Sequence, residues 1–358
     1  MIDFEKNISI TPQIMPWGSQ CVQAEYNSDA DPRLHGFKAI IVCDSLNANN
    51  ERLVTTIARF PRCILAEINT HRVFSRNSAS SRARSVKTTI SSVMNDPYIP
   101  LFSRNHKGMG GVLMTDPNKI KEATRLWLKA RNNAVENELR LLVGDKDNIK
   151  AENWEQIVDY YYTNVYNREG VGDQTALSVH KQNANRLIEP FMWHEALITS
   201  SYWTNFYNLR ISEYAQPEIH AIATLMRAAM DASTPKTRPI HLPFVADNTV
   251  NVENLFNFSW NELKTILMNS ASECCRISYK DRSTMQNRQD NTELATRLLH
   301  DGHMSPLEHQ AIDLQVYKNL SKELSFGEDN INIEGRLNGN LSQGWVQLRH
   351  VFEHVPEK

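Results

Sequence analysis

Disulfide framework spacing is the first thing missing from this chain. Its five cysteines, Cys21, Cys43, Cys63, Cys274 and Cys275, contain no CxxC pair, and the adjacent Cys274 and Cys275 make a poor zinc half-site. An odd count without framework spacing fits a reducing cytoplasm rather than a disulfide scaffold, and no metal site is expected. No stretch approaches about eighteen uninterrupted apolar residues, and the start, MIDFEKNISITPQIMPWG, lacks a basic segment followed by a long apolar run. Neither secretion nor membrane spanning is therefore expected. A basic excess is missing too: 39 Lys and Arg face 41 Asp and Glu, a net charge of -2. That argues against a surface that coats nucleic acid, so any anion site must be local. Glycine-rich phosphate fingerprints are also absent. HKGMGGVLM carries Gly108, Gly110 and Gly111 but neither GxGxxG nor GxxxxGK[ST], and reads as a flexible loop.

What is present is an ordinary folded composition, 41% apolar and 22% charged, on 358 residues, enough for two domains or one elaborated one. Residues 1–35 are polar and punctuated by Pro and Gly, and read as an irregular N-terminal arm. GFKAIIVCDSL, 36–46, reads as a buried strand. From Asn49, Leu53, Ile57, Phe60, Ile64 and Ile68 recur at helical spacing, with Pro61 kinking or restarting that helix. Helices are expected at 115–144, capped by Thr115 or Asp116, and at 151–164, 174–189, 216–231, 260–276 and 291–301, with a strand at 311–317. The layout is α+β and helix-rich, without the strand–helix alternation of a doubly wound sheet.

The stretch INTHRVFSRNSASSRARSVK, 68–87, is unlike a core segment. Arg72, Arg76, Arg82 and Arg84 cannot all enter apolar surroundings without acceptors or anions. Two readings stand: a solvated basic loop, or a phosphate cradle in which short serines let the backbone approach while arginines offer forked donors.

THRVFSRNSASSRA, 70–83, resembles the RHRxxSxNExSxRY signature of flavin-dependent thymidylate synthases, matching at His71, Arg72, Ser75, Asn77, Ser80 and Arg82. NFYNLRISEYAQPEI, 205–219, resembles the family's NfLxLRxxxxAQxEI, and Arg186 and Pro190 in NANRLIEP resemble its ARxxLP. DGHMSPLEHQAIDLQV, 301–316, resembles GHxSPxEHxxFxF, and SECCRISYKDRS, 272–283, resembles AARVSY; both usually precede the RHR segment and here follow it. A circular permutation gives that order, and moved surface termini leave a core intact. The expected division is an arm at 1–35, a flavin- and nucleotide-binding part at 36–231 with an insertion at about 88–175, a connector at 232–255, a permuted segment at 256–320 completing the same domain, and an extension at 321–358.

The resemblance implies a helix-rich flavin-dependent thymidylate synthase-like fold that binds FAD through His71, Arg72, Asn77, Asn205 and His309. It implies a nucleotide held by Ser80, Ser81, Arg82, Arg186 and Arg210, with Arg186 serving a neighbouring subunit's site in a homotetramer. It also implies catalysis by Arg210 and His71: reductive methylation of dUMP at C5, with NADPH as reductant and methylenetetrahydrofolate as carbon source. The pattern is broken at Thr70 for the first Arg, Ser78 for Glu, Ala83 for Tyr and Glu67 for a common Gln. Losing Arg at 70 removes donors and a charge near the flavin, while Glu67 adds a negative one. A related outcome, hydroxymethylation or action on UMP or dCMP, therefore stays open.

Two rivals belong to other classes. A cysteine nucleophile of the kind used by cysteine-dependent thymidylate synthases would need Cys63, Cys274 or Cys275, of which Cys63 lies in an apolar pattern expected to bury an inert thiol. A nucleic-acid-binding protein would use the basic run Arg52, Arg59, Arg62, Arg72, Arg76, Arg82, Arg84 and Lys87.

Overall fold

The computed structural model describes residues 2–105, 107, 111–277, 292–323, 341–342 and 344–352. Strands β1 (Ile8–Ile14), β2 (Gln20–Tyr26), β3 (Lys38–Leu46) and β4 (Arg52–Pro61) lead into a short helix α1 (Leu65–Asn69) and strand β5 (Ser75–Ser78). A helical region follows: α2 (Val86–Asn95), a small ribbon of β6 (Ser103–Arg104) and β7 (Val112–Leu113), α3 (Pro117–Val143), α4 (Trp154–Asn164) and α5 (Lys181–Ala184). The chain then returns through β8 (Trp193–Ser200), α6 (Thr204–Arg210) and α7 (Pro217–Ala232). The last third holds β9 (Lys236–Thr237), β10 (Ile240–His241), α8 (Trp260–Arg276), α9 (Thr292–His300), β11 (Ala311–Asp313), α10 (Leu314–Glu323), β12 (Trp345–Gln347) and a short helix, Leu348–Phe352. The fold is α+β. A seven-stranded sheet runs β1-β2-β3-β4-β8-β5 with β9 added parallel to β3, and β10-β11-β12 form a separate three-stranded sheet. No helix among the described residues is long and apolar enough to cross a membrane.

The large sheet is covered on both faces, which removes the usual strand alternation from its central strands. Along β3, Ala39 and Ile41 join the core under α7 with Ile219, Ile222 and Met226, while Ile40 and Val42 pack with Cys274 and Ile277 at the end of α8. β4 is apolar on both sides for the same reason, so its residues lose strand alternation and mimic a helix. The expected helix from Asn49 is strand β4 as far as Pro61, and helix begins only beyond that proline, in a 3-10 turn at Arg62–Ile64 and in α1, as the restart alternative had it. Residues 1–35 are not irregular: β1 and β2 pair in register, and Pro12 is tolerated because β1 is a sheet edge needing no donor there.

Other differences are local. Only Lys181–Ala184 and a 3-10 turn at Asn185–Phe191 are helical in the expected 174–189 helix. The strand expected at 311–317 stops at Asp313, whose carboxylate accepts from the backbone N–H groups of Gln315 and Val316 at 2.8 and 3.0 Å and starts α10. Residues 232–255 contribute β9 and β10 to the two sheets rather than merely connecting. The helices at 115–144, 151–164, 216–231, 260–276 and 291–301 form within a few residues of expectation, with Asp116 as the cap of α3. Gly108, Gly110 and the 278–283 part of SECCRISYKDRS lie outside the described residues, as does most of 321–358; its described part supplies β12.

Candidate functional site

The segment 70–83 is divided by the fold. Its first part is the turn leaving α1, its middle is β5 paired to β8, and its last part is a turn from Ser80 to Ala83 closed by Ala83 N–H on the Ser80 carbonyl at 3.0 Å. Arg76 does not point into a cradle. One nitrogen of its guanidinium donates to the carbonyls of Ile68, Asn69 and His71 at 3.2, 2.9 and 3.1 Å, closing the end of α1.

That turn meets the C-terminal end of α6. Arg210 donates from Nε to His71 Nε2 at 2.9 Å, and its Nη atoms reach Thr70 Oγ1 at 3.3 Å and Glu67 Oε2 at 3.5 Å. A guanidinium has donors only, so His71 Nε2 must accept and the ring proton sits on Nδ1. Desolvation first, then the charges of Arg210 and Arg76, hold the His71 pKa down to about 4. The ring is neutral at neutral pH and packs edge-on against Phe206 of α6 at 4.9 Å. Arg72 and Asn205 are exposed on either side of this contact in sequence, and neither side chain is hydrogen-bonded among the described residues.

The nucleotide candidates are placed differently from one another. Ser80 and Arg82 are exposed, with Ser80 Oγ accepting from the Arg82 backbone N–H at 3.3 Å and the Arg82 guanidinium without a partner among the described residues. Ser81 is buried, and its carbonyl accepts from Asn185 Nδ2 at 2.9 Å. Arg186 is exposed and uses Nε on the Gln182 carbonyl at 3.0 Å. Behind the turn stand groups that the resemblance gave no part in holding a nucleotide. Arg62 donates to the Ala79 carbonyl at 3.1 Å and to His194 Nδ1 at 3.0 Å, and pairs with Glu189 at 3.1 Å. Arg84 is half-buried beside them, its pKa lowered by desolvation.

The displaced segment packs against β5 and β8. Asn77 Nδ2 donates to the Cys274 carbonyl at 2.9 Å, and Gln347 bridges Ser75 Oγ and the Glu308 carbonyl at 2.9 and 2.8 Å. His309 is completely buried, so it offers no exposed atom to a ligand. Its Nδ1 lies 2.8 Å from Thr199 Oγ1, which reaches Thr55 Oγ1 at 2.7 Å, then His241 Nε2 at 2.8 Å, and His241 Nδ1 ends on Ser45 Oγ at 2.8 Å. Nothing in the sequence marked Thr55, Thr199 or His241, because such a chain depends on strand register. Glu218 of AQPEI is likewise internal: it accepts from Tyr98 Oη at 2.6 Å and the Leu101 N–H at 3.0 Å.

The rival residues are accounted for individually. Cys63 is exposed, not buried as its pattern suggested, yet desolvation and then Glu218 push its thiol up to about 11. Cys275 is raised to about 12 and Cys274 well above the usual thiol value, both by desolvation first, so no described cysteine is a ready thiolate. Of the basic run, Arg52 pairs with Asp44 at 2.7 Å, Arg59 with Asp96 and Arg62 with Glu189, which removes its first three members from a free cationic face. Among the described residues, no group of three or more His, Cys, Asp or Glu side chains could hold a metal ion.

No family model matches the chain, and no curated protein does. Among solved structures, a UMP/dUMP methylase, PolB, from Streptomyces cacaoi, bound with 5-Br UMP, is a weak and partial likeness: 14% identity over 50% of this chain and 69% of that one, with a TM-score of 0.32.

Proposed function

We propose that the chain is a flavin-dependent enzyme acting at C5 of a pyrimidine nucleotide, with reductive methylation of dUMP as its reaction and a circularly permuted order of the family's segments. The observation that carries this reading is the hydrogen bond between His71 and Arg210, which joins the two strongest matching segments across 139 residues. The packing of Cys274, Glu308 and His309 against β5 and β8 supports the permuted order, because it returns the displaced segments to the same sheet.

The side chains present fit an anionic cofactor and a phosphorylated substrate in part. Exposed, uncommitted Arg72 and Asn205 would hold FAD, while His71, Asn77 and His309, turned inward, would support that surface from behind. FAD, recharged by NADPH, would supply the hydride, and methylenetetrahydrofolate the carbon. Arg210 would donate to the pyrimidine carbonyl and stabilise negative charge as C5 becomes nucleophilic. His71, neutral and acting as an acceptor, orients Arg210 and trades no proton near pH 7. Arg82, with Ser80 and the backbone around Ser81, would take the monophosphate. The uncommitted part of Arg186 would reach a neighbouring subunit's nucleotide in a homotetramer, and the cytoplasm is the expected compartment.

Glu67 beside Arg210 favours one second reading, in which the altered surroundings of the base redirect the outcome to hydroxymethylation or to UMP or dCMP. The test is reconstitution with FAD followed by incubation with dUMP, methylenetetrahydrofolate and NADPH. Flavin absorbance on the reisolated protein and a product heavier than dUMP by one CH2 unit are expected. A hydroxymethyl product selects the second reading, and no flavin uptake removes both.

A further inference from the structure

Arg210 is held by three acceptors that sit on one turn of chain. Glu67 lies within α1, Thr70 is the residue that ends it, and His71 follows. A carboxylate oxygen such as that of Glu67 can only accept, and Thr70 and His71 are each fixed as acceptors. Thr70 Oγ1 gives its proton to the Glu67 carbonyl at 2.7 Å, so its lone pairs are left for Arg210. His71 is neutral with its proton on Nδ1. The turn itself is held by Arg76 on the carbonyls of Ile68, Asn69 and His71. Three N–H donors of Arg210 are thereby engaged, and the other two have no partner among the described residues.

Two of these acceptors, Glu67 and Thr70, occupy positions where the chain departs from the pattern it resembles. Arginine at position 70 would set a like charge beside Arg210 and offer it no lone pair. Glutamine at 67 would keep an acceptor without the charge. The two departures therefore act on the same guanidinium, and they act in the same direction, by making the turn a better acceptor.

We infer that Glu67, assisted by Thr70, is the positioning residue for Arg210 and sets how firmly that guanidinium meets the pyrimidine. The inference deepens the proposed function and rests on it only in assigning the pyrimidine to Arg210. The Glu67–Arg210 pair is partly exposed, with side-chain accessibilities of 35% and 21%, so its effect is modest rather than structural.

The experiment measures dUMP affinity by calorimetry, the His71 imidazole nitrogen resonances by NMR and the thermal midpoint, in the wild type, E67A, E67Q and T70V. E67A is expected to weaken dUMP by roughly fivefold, the scale of a partly exposed ion pair. It should also move the His71 Nε2 resonance toward that of an unbonded acceptor, with the thermal midpoint nearly unchanged. E67Q should restore most of both signals, because its amide oxygen still accepts though without the charge, and T70V should give a smaller shift of the same sign. If E67A leaves both affinity and resonance at wild-type values, or E67Q is as impaired as E67A, the positioning role is overturned. If the wild type binds no dUMP while E67A still moves the His71 resonance, the positioning role is upheld and the proposed function is the part that fails.

Discussion

Asn77 donates from its side-chain amide to the main-chain carbonyl of Cys274, 2.9 Å away and 197 residues along the chain. The resemblance assigned Asn77 to the flavin, whereas here its amide is turned toward the last turn of α8. The bond ties the RHR-like segment to the segment that follows it out of the usual order. It holds the two segments together.

Replacing Asn77 with alanine leaves the Cys274 carbonyl without that donor inside a packed region, and a loss of about 1–2 kcal/mol in unfolding free energy is expected. FAD affinity, titrated well below the unfolding transition, should change little. Normal stability with lost flavin affinity would return Asn77 to direct cofactor contact.

Thr199 joins His309 to Thr55 inside the sheet, and Thr55 joins His241. Each hydroxyl serves two neighbours, so T199V and T55V should each lower stability by ~1–3 kcal/mol by stranding a buried imidazole. Their effects should not add, because either change breaks the same chain. Urea unfolding of both single variants and the double variant checks this, and strict additivity would mean that the bonds act independently.

Four buried histidines make the fold sensitive to acid. Desolvation is the first cause in each case: His71 is held down to about 4, His194 and His309 to about 3, and His241 well below its ordinary 6.5. Folded values below the unfolded value mean that the folded state excludes protons the unfolded chain would bind. Their contribution is therefore present above about 6.5 and is lost as pH falls through that value toward 4 and then 3. Thermal midpoints across this range should fall steadily, and a flat profile down to pH 4 would contradict the burial of these rings.

Glu138 of α3 works in the opposite sense. It is fully buried among Val135, Leu139 and Leu142, neither carboxylate oxygen has a hydrogen-bond partner among the described residues, and desolvation raises its pKa to about 8. A raised value gives stability that is complete below the ordinary 4.5 and is lost as pH rises through about 8. E138M, similar in volume and without charge, should stabilise the protein by about 2 kcal/mol at pH 8, with a smaller gain at pH 5. Equal effects at both pH values would show that the carboxyl does not titrate in this range.

What could be read from the sequence depended on whether the signal was local. Helix α8 fell where a helix was expected, at 260–276, and the structure shows its start closed locally by a reciprocal cap between Ser259 and Glu262. The motif residues His71 and Arg210 were legible as members of strings, but their contact required the fold. β8 gave no usable signal because Ala196, Leu197 and Ile198 are buried in succession between two layers. Arginine was the hardest residue to place. The same donor fork suits a phosphate oxygen or a main-chain carbonyl, and only the position of α1 decides that Arg76 takes the second.

Arg76 and Arg82 therefore provide a paired test. Arg76 serves three carbonyls at the end of α1, so R76A should lower stability by roughly 2 kcal/mol and loosen the turn that presents Thr70 and His71 to Arg210. Arg82 makes no side-chain bond among the described residues and is exposed, so R82A should leave the unfolding midpoint within experimental scatter. The ligand readout should reverse this order. R82A should weaken dUMP by a few kcal/mol while hardly changing deoxyuridine, because only dUMP carries the anion that a free guanidinium would pair with. R76A should weaken both nucleoside and nucleotide to a similar degree, since it acts through the turn and not through the phosphate. Comparing the two ligands by calorimetry on both variants, beside urea unfolding, separates the roles. If R82A affects dUMP and deoxyuridine equally, Arg82 is not the phosphate anchor.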